Sequence, residues 1–301
     1  MAAEIPLIDV GNISFTGADY EGVVLKAVWG LYGLRRCAVR SNDDRMLERT
    51  NESLSQLLER IKGRGHSSDA YLIRGLKTRG IISHGAQVMC FLRPSSWEYK
   101  EKEMDTEGLL AIGFAGMIRA GKSLAGKIVE EEYEGAHFPF VDSLKAFSLA
   151  MGYRLGVNRA VLREVNDIIK PRFGNATFAE ETIRKATALI PYKQPLVLGF
   201  DGFRSAEEAR LILNLGGVMA EVWANLDTRY LRAKRHVSED KQGQEPESFE
   251  HFRYESELEY ETMMRPAIEL CQVRLDNNQD DSGKYLKVQI KAHFDSMVHG
   301  I

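Results

Sequence analysis

From residue 109 onward, short apolar runs alternate with amphipathic stretches of helical period. The runs "LLAIGFA" (109–115), "AHFPFVD" (136–142), "PLVLGFDG" (195–202), "GVMAEVWA" (217–224) and "CQVRLDN" (271–277) read as strands. Between them, "KSLAGKIVEEEY" (122–133), "SLKAFSLAMGYRL" (143–155) and "SAEEARLILNLG" (205–216) read as helices. Strands that alternate with helices imply crossover connections, hence an α/β fold with a parallel sheet covered by helices on both faces.

The first hundred residues follow another pattern. In "DDRMLERTNESLSQLLERIKG" the apolar positions Leu47, Leu54, Leu58 and Ile61 fall near helical spacing, with Gly63 as the stop. "GIISHGAQVMCFL" (80–92) reads as one or two strands, whereas "VVLKAVWGLYGL" (23–34) fits either element, because periodicity does not assign a short apolar run. The polar, charge-dense "SSWEYKEKEMDTEG" (95–108) follows a proline and precedes the first strand of the α/β region, which places a domain boundary there. The expected organisation is a small α+β accessory region over 1–105 and an α/β domain over 106–301. "SEDKQGQEPES" (238–248) is expected to be an exposed loop.

Composition narrows the class. Over 301 residues, 44% are hydrophobic and 28% charged, a balance that fills a core and still coats it. Three distant cysteines, Cys37, Cys90 and Cys271, form neither a disulfide framework nor a metal pair, and seven scattered histidines predict no structural zinc. The start "MAAEIPLIDVGNISF" lacks the features of a signal peptide, and no apolar run approaches membrane-spanning length. The expectation is a cytoplasmic protein, in the host cytoplasm if viral, with no membrane partner; the sequence is silent on oligomeric state. A net charge of -3 argues against a protein that coats nucleic acid indiscriminately, while leaving room for a local basic groove.

The most specific chemistry lies between the first strand and the first helix of the α/β region. Gly116-Met117-Ile118-Arg119-Ala120-Gly121-Lys122-Ser123 satisfies G-x-x-x-x-G-K-[ST] in the strand-to-helix context that a phosphate-binding loop needs. Gly116, Arg119, Ala120, Gly121, Lys122, Ser123 and Leu124 are therefore expected to hold the phosphates of ATP. Backbone N–H groups and the helix N-terminus supply the cradle, Lys122 bridges the β- and γ-phosphates, and Ser123 ligates Mg2+. Neither an N-K-x-D base-reading tetrapeptide nor an apolar run ending in Asp-Glu is present.

Three further segments single out residues. Asp142 closes "FPFVD"; at a strand's carboxyl end it is placed to orient or deprotonate an acceptor, and a helix N-cap is the alternative. Lys145 would point toward acceptor phosphate, or else be a solvated helix lysine. Asp201 ends "LVLGFD" and would hold Mg2+ through water; Arg204 just beyond it would grip a substrate phosphate, unless it merely pairs with Glu207 or Glu208. "DTRYLRAKRH" sets Arg229, Arg232 and Arg235 one turn apart on a cationic helix face, with Lys234 beside them; a solvated basic face is the alternative to a role at phosphate.

This succession resembles the phage-type deoxynucleoside monophosphate kinases, in which a phosphate loop is followed by an Asp-bearing strand end, a Lys-bearing helix, an Asp-x-Arg strand end and a Gly-Gly turn. It is also similar to the dephospho-coenzyme A kinase-like branch of the same superfamily, through Asp201-Gly202-Phe203-Arg204 and the segment "FEHFRYESE", which carries Arg253. The likeness runs from Leu109 to about Met297. It implies a P-loop NTPase fold of the nucleoside monophosphate kinase kind, using ATP and Mg2+. Lys122, Asp142, Arg204 and Arg232 would be catalytic, with Asp142, Lys145, Asp201 and Arg204 at the acceptor. The likeness also implies a mobile lid bearing Arg229, Arg232, Arg235 and Arg253, which shuts out water. Ser143 stands where these kinases have proline, and Gly202-Phe203 lengthens the Asp-to-Arg spacing, so the acceptor pocket is expected to differ.

The N-terminal region adds a second possibility. Arg60, Lys62, Arg64, Arg74, Lys77 and Arg79 crowd a stretch with Asp69 as the counter-charge and Tyr71 among them, a pattern that fits either a nucleic-acid track or a solvated face. DNA is thus a candidate partner beside a free nucleotide. The acceptor would then be a hydroxymethyl group on a pyrimidine within phage DNA, lifted from the stack to meet the γ-phosphate. A nucleotide-binding regulator without catalysis is the third reading.

Overall fold

The computed structural model describes residues 7, 20–62, 108–153, 159–187, 196–235, 248–259, 264–279 and 283–298. The expected strands over 80–92, most of the boundary segment 95–108 and the loop 238–247 lie outside the described residues. So do Arg64, Asp69, Tyr71, Arg74, Lys77 and Arg79, and the side chains of Arg60 and Lys62. The helices are α1 (Tyr20–Arg40), α2 (Asp44–Lys62), α3 (Lys122–Glu132), α4 (Phe140–Ala150), α5 (Arg159–Phe173), α6 (Thr177–Thr187), α7 (Ala206–Asn214), α8 (Leu226–Arg235), α9 (Phe249–Glu259), the single turn α10 (Arg265–Ile268) and α11 (Lys284–Val298). The strands are β1 (Leu109–Ala115), β2 (Ala136–Pro139), β3 (Leu196–Asp201), β4 (Val218–Trp223) and β5 (Val273–Asp276).

The chain divides into two compact units, one of residues 1–105 with 143–174, the other of 106–142 with 175–301. The grouping of 143–174 with the first unit has no signal in the sequence, where that stretch simply continues the α/β alternation.

In the first unit every described element is a helix. The ambiguous run 23–34 lies within α1, which pairs with α2. Among the described side chains of α2 the buried ones are Met46, Thr50, Leu54 and Leu57, a stripe repeating every three or four residues, while the side chains of the expected positions Leu58 and Ile61 lie outside the described residues. Two glycines of α1 allow close approach to residues 146–150 of α4. A Cβ on Gly30 would stand 1.9 Å from the Ala146 carbonyl oxygen, and one on Gly33 would stand 2.3 Å from the Phe147 ring. Arg172, near the end of α5, pairs with Asp43 just before α2.

The second unit is built on the five strands, which form one sheet in the order β2-β3-β1-β4-β5. Every neighbouring pair is parallel, so the α/β class expected from the alternating runs is observed.

Alternation along the strands sorts the two faces of the sheet. Leu110, Ile112 and Phe114 of β1, with Ala220 and Val222 of β4 and Leu275 of β5, bury against Ala125, Ile128 and Val129 of α3 and Leu286, Ile290 and Phe294 of α11. The opposite face holds Gly113, where a Cβ would meet Met219 Sδ at 2.3 Å and the Phe203 ring at 2.8 Å, and α7 packs against β1 and β4. Burying such a set of Leu, Ile and Phe side chains contributes about 1.5–3 kcal/mol each before entropy is counted. Among the described residues, no helix is long and apolar enough to cross a membrane.

One boundary differs from the sequence reading. The apolar run continues to Asp142, but β2 stops at Pro139, opposite Asp201, and α4 begins at Phe140. Asp142 is therefore not at a strand end: it is the third residue of a helix, in its first turn and beyond the N-cap position. Phe140 is the physical reason. Its ring packs edge-on to Phe203 at 4.7 Å and is 3% exposed, so the chain turns inward there.

Candidate functional site

The carboxyl ends of the central strands lie along one edge of the sheet, with Phe114 and Pro139 each in register with Asp201. The chain leaves β1 for the β2 side, returns through β3 and crosses β1 to reach β4. Open α/β sheets bind ligands at such a reversal, outside the carboxyl ends of the strands. The loop 116–121 leaves β1 at this point and runs into α3.

Three of its residues have positive φ: Gly116 at 141°, Arg119 at 63° and Gly121 at 111°. Such turns aim successive backbone N–H groups into one concavity, which is an anion cradle. Gly116 is required by space as well as by conformation, since a Cβ there would stand 2.2 Å from the Val222 carbonyl oxygen. At Gly121, which precedes α3 in a left-handed conformation, a Cβ would stand 2.2 Å from Asn277 Nδ2. Arg119 holds a left-handed φ without being glycine, a conformation that costs on the order of 1 kcal/mol or more and clusters at functional sites.

Lys122 and Ser123 follow on the first turn of α3. The Lys122 ammonium donates to the carbonyl oxygens of Gly116 at 2.7 Å and Met117 at 2.9 Å, arching over the loop. Ser123 Oγ donates to Asp201 Oδ2 at 2.8 Å. Leu124 is a packing residue, standing beside Gly283 and the apolar cluster under the sheet.

Asp201 is 5% exposed at the end of β3. Burial alone would raise its carboxyl, but His137 alongside, the Ser123 hydroxyl and the charge of Lys122 outweigh burial and hold it below the ordinary 3.8. It is therefore an anion at neutral pH. His137, on β2, puts Nε2 3.2 Å from Asp201 Oδ2, and both side chains are 7% exposed. That nitrogen has no aligned hydrogen-bond partner among the described residues, so the contact is one of proximity.

Behind the loop stands a clamp. Asn277, just after β5, donates from Nδ2 to the Ala120 carbonyl at 2.7 Å. Arg232 donates to the Asn277 carbonyl at 2.8 Å and reaches the Ala120 carbonyl at 3.5 Å. Arg229 reaches the Ile118 carbonyl at 3.5 Å and donates to the Ala224 carbonyl and to Ser256 Oγ, each at 3.2 Å. The cationic face expected on α8 is thus split. Arg229 and Arg232 are buried and turned onto backbone carbonyls, while Lys234 and Arg235 are exposed. Residues three apart share a helix face, and this face meets the loop.

The other expected residues fall as follows. Arg204 is exposed beyond β3; its backbone N–H donates to Glu208 and its Nη1 approaches Met264 Sδ at 3.7 Å. The surface pairing with Glu208 considered from sequence thus involves the backbone of Arg204. Asp142 and Lys145 are half-buried, one turn apart on α4. Arg253 is exposed on α9 and lines a cavity of about 570 Å³ with Met117, Glu221, Trp223 and Arg274. There the Arg274 guanidinium stacks over Trp223 at 4.4 Å, and burial pushes the Glu221 carboxyl up despite Arg274.

The donor set fits a nucleoside triphosphate and Mg2+. Phosphate would meet the loop's backbone and the Lys122 ammonium, and Ser123 with ionised Asp201 offers the hard oxygen ligands that Mg2+ takes. Sequence reasoning missed His137 and Asn277. Asn277 had a faint signal, an amide just past a strand's carboxyl end; His137 had none.

Three solved shikimate kinases are similar in structure. The one from Acinetobacter baumannii, in complex with shikimate, has 13% identity and a TM-score of 0.44, covering 64% of this chain and 94% of its own. That from Bacteroides thetaiotaomicron has 12% identity and a TM-score of 0.40, over 62% and 98%. That from Aquifex aeolicus has 10% identity and a TM-score of 0.36, over 63% and 99%. At these values the likeness bears on neither substrate nor activity. No protein-family model matches the chain, and no curated protein matches it.

Proposed function

We propose that this protein is an ATP- and Mg2+-dependent phosphotransferase whose acceptor is a (deoxy)nucleoside monophosphate. The observation that carries the reading is the loop 116–123, with three residues at positive φ and Lys122 arched over it, set against the Ser123–Asp201 pair. Phosphate oxygens would replace the Gly116 and Met117 carbonyls as acceptors for the Lys122 ammonium. Ser123 directly, and Asp201 through water, would hold Mg2+, which would supply charge neutralisation on the transferring phosphoryl group.

Catalysis on this reading is positioning and electrostatic stabilisation, without a covalent intermediate. An acceptor oxygen forms a bond to the γ-phosphorus as the bond to the β,γ-bridging oxygen breaks, and ADP leaves. Arg204, exposed beyond Asp201, grips the acceptor's phosphate with its planar fork, and Asp142 orients the acceptor. Arg235 and Arg253, exposed on α8 and α9, close over the phosphates. The buried pair Arg229 and Arg232 instead holds the loop in shape.

The test is transfer of label from γ-labelled ATP, with Mg2+, to a panel of free deoxynucleoside monophosphates and to duplex DNA carrying hydroxymethylated pyrimidines. Label on a free nucleotide supports the reading. Label on the modified DNA alone replaces its acceptor, and label on neither overturns it.

A further inference from the structure

We infer that His137 is a positioning residue for Asp201, holding one carboxylate oxygen so that the other is left for the metal's water. The inference rests on the phosphotransferase reading above.

Asp201 Oδ2 has two neighbours that can donate. Ser123 Oγ occupies one position at 2.8 Å, and His137 Nε2 stands at 3.2 Å without an aligned partner. A buried polar nitrogen left unpaired is costly, so its persistence needs a reason. Holding Mg2+ provides one. A serine hydroxyl ligates a cation through an oxygen lone pair and keeps its proton for Asp201 Oδ2, and that carboxylate oxygen has a second lone pair for another donor. In the tautomer that carries its proton on Nε2, His137 would fill that position and leave the other carboxylate oxygen for the metal's water.

The surroundings are shaped for that ring. Gly126 sits inside α3, where glycine is disfavoured relative to alanine. A Cβ at Gly126 would stand 2.2 Å from His137 Cδ2 and 2.4 Å from Nε2. The helix thus forgoes a favourable residue at the turn that faces the imidazole. The backbone fixes the other end: His137 lies in register with Gly199 on β3, and its N–H donates to Glu130 at 3.1 Å.

The test compares His137→Leu, which fills the space without a donor, with His137→Gln, whose amide restores one. The readout is the Mg2+ concentration that gives half of the thermal stabilisation by ATP, alongside ATP binding measured in EDTA. We expect His137→Leu to raise the Mg2+ requirement about tenfold or more, in line with the usual loss for an outer partner of a metal ligand. His137→Gln should recover most of it, and metal-free ATP binding should be equal in all three proteins. Equal Mg2+ requirements in wild type and His137→Leu, or equal shifts in both variants, overturn the inference while the phosphotransferase reading stands. A wild type with no Mg2+-dependent stabilisation by ATP overturns both.

Discussion

Ser123 Oγ donates to Asp201 Oδ2 over 2.8 Å, tying the first turn of α3 to the last residue of β3 across 78 positions of sequence. The bond joins the end of the glycine loop to a buried carboxylate, so a cation held there would lie beside any phosphate in the cradle.

Lys122→Ala should lower phosphoryl transfer by at least about a hundredfold, the usual cost of removing a charge-stabilising donor, while leaving the fold intact. Initial rates with a circular dichroism spectrum check this. Wild-type turnover in the variant would refute the loop's role.

Asp201 makes stability depend on pH. Its folded pKa is depressed, so its contribution is fully present above the ordinary 3.8 and is lost as pH falls through the lower folded value. Acid titration of the unfolding free energy should show this step in wild type and not in Asp201→Asn. Identical acid limbs in the two proteins would contradict the assigned ionisation.

Gly116→Ala should destabilise the protein by roughly 1–3 kcal/mol and abolish ATP binding, because the backbone at φ 141° and the Val222 carbonyl leave no room for a methyl. Urea denaturation measures the first effect and calorimetric titration the second. A variant that binds ATP normally would show that the loop's shape is dispensable.

Asn277→Ala removes the shortest side-chain bond to the Ala120 carbonyl and leaves Arg232, at 3.5 Å, to hold it. The expected loss is about 1 kcal/mol of stability, with a roughly fivefold or greater weakening of ATP affinity. Equal affinity in both proteins would reduce the clamp to a structural tie.

Much of this site is legible in the sequence, and the reasons for the misses are physical. The loop 116–123 stands out because glycine spacing, lysine and serine together form a pattern that phosphate binding would demand. The strands of the second unit are visible because a buried parallel sheet needs nearly continuous apolar runs, and Asp201 follows from the end of such a run. His137 and Asn277 are not legible, since each acts across the sheet edge on a residue far away in sequence. Arg229 and Arg232 read as lid arginines or a solvated face because charge pattern reports spacing, whereas the carbonyls they meet come from the loop. Asp142 moves from strand to helix because Phe140 buries against Phe203, a contact between segments that no local pattern encodes.

The most direct test of phosphoryl transfer is the partition of γ-label between an added deoxynucleoside monophosphate and free phosphate, measured with Mg2+ in wild type and Lys122→Ala. A phosphotransferase of this design leaves label mainly on the nucleotide in wild type and almost none on either product in the variant. Label released only as free phosphate, at a rate indifferent to the nucleotide, would be incompatible with it.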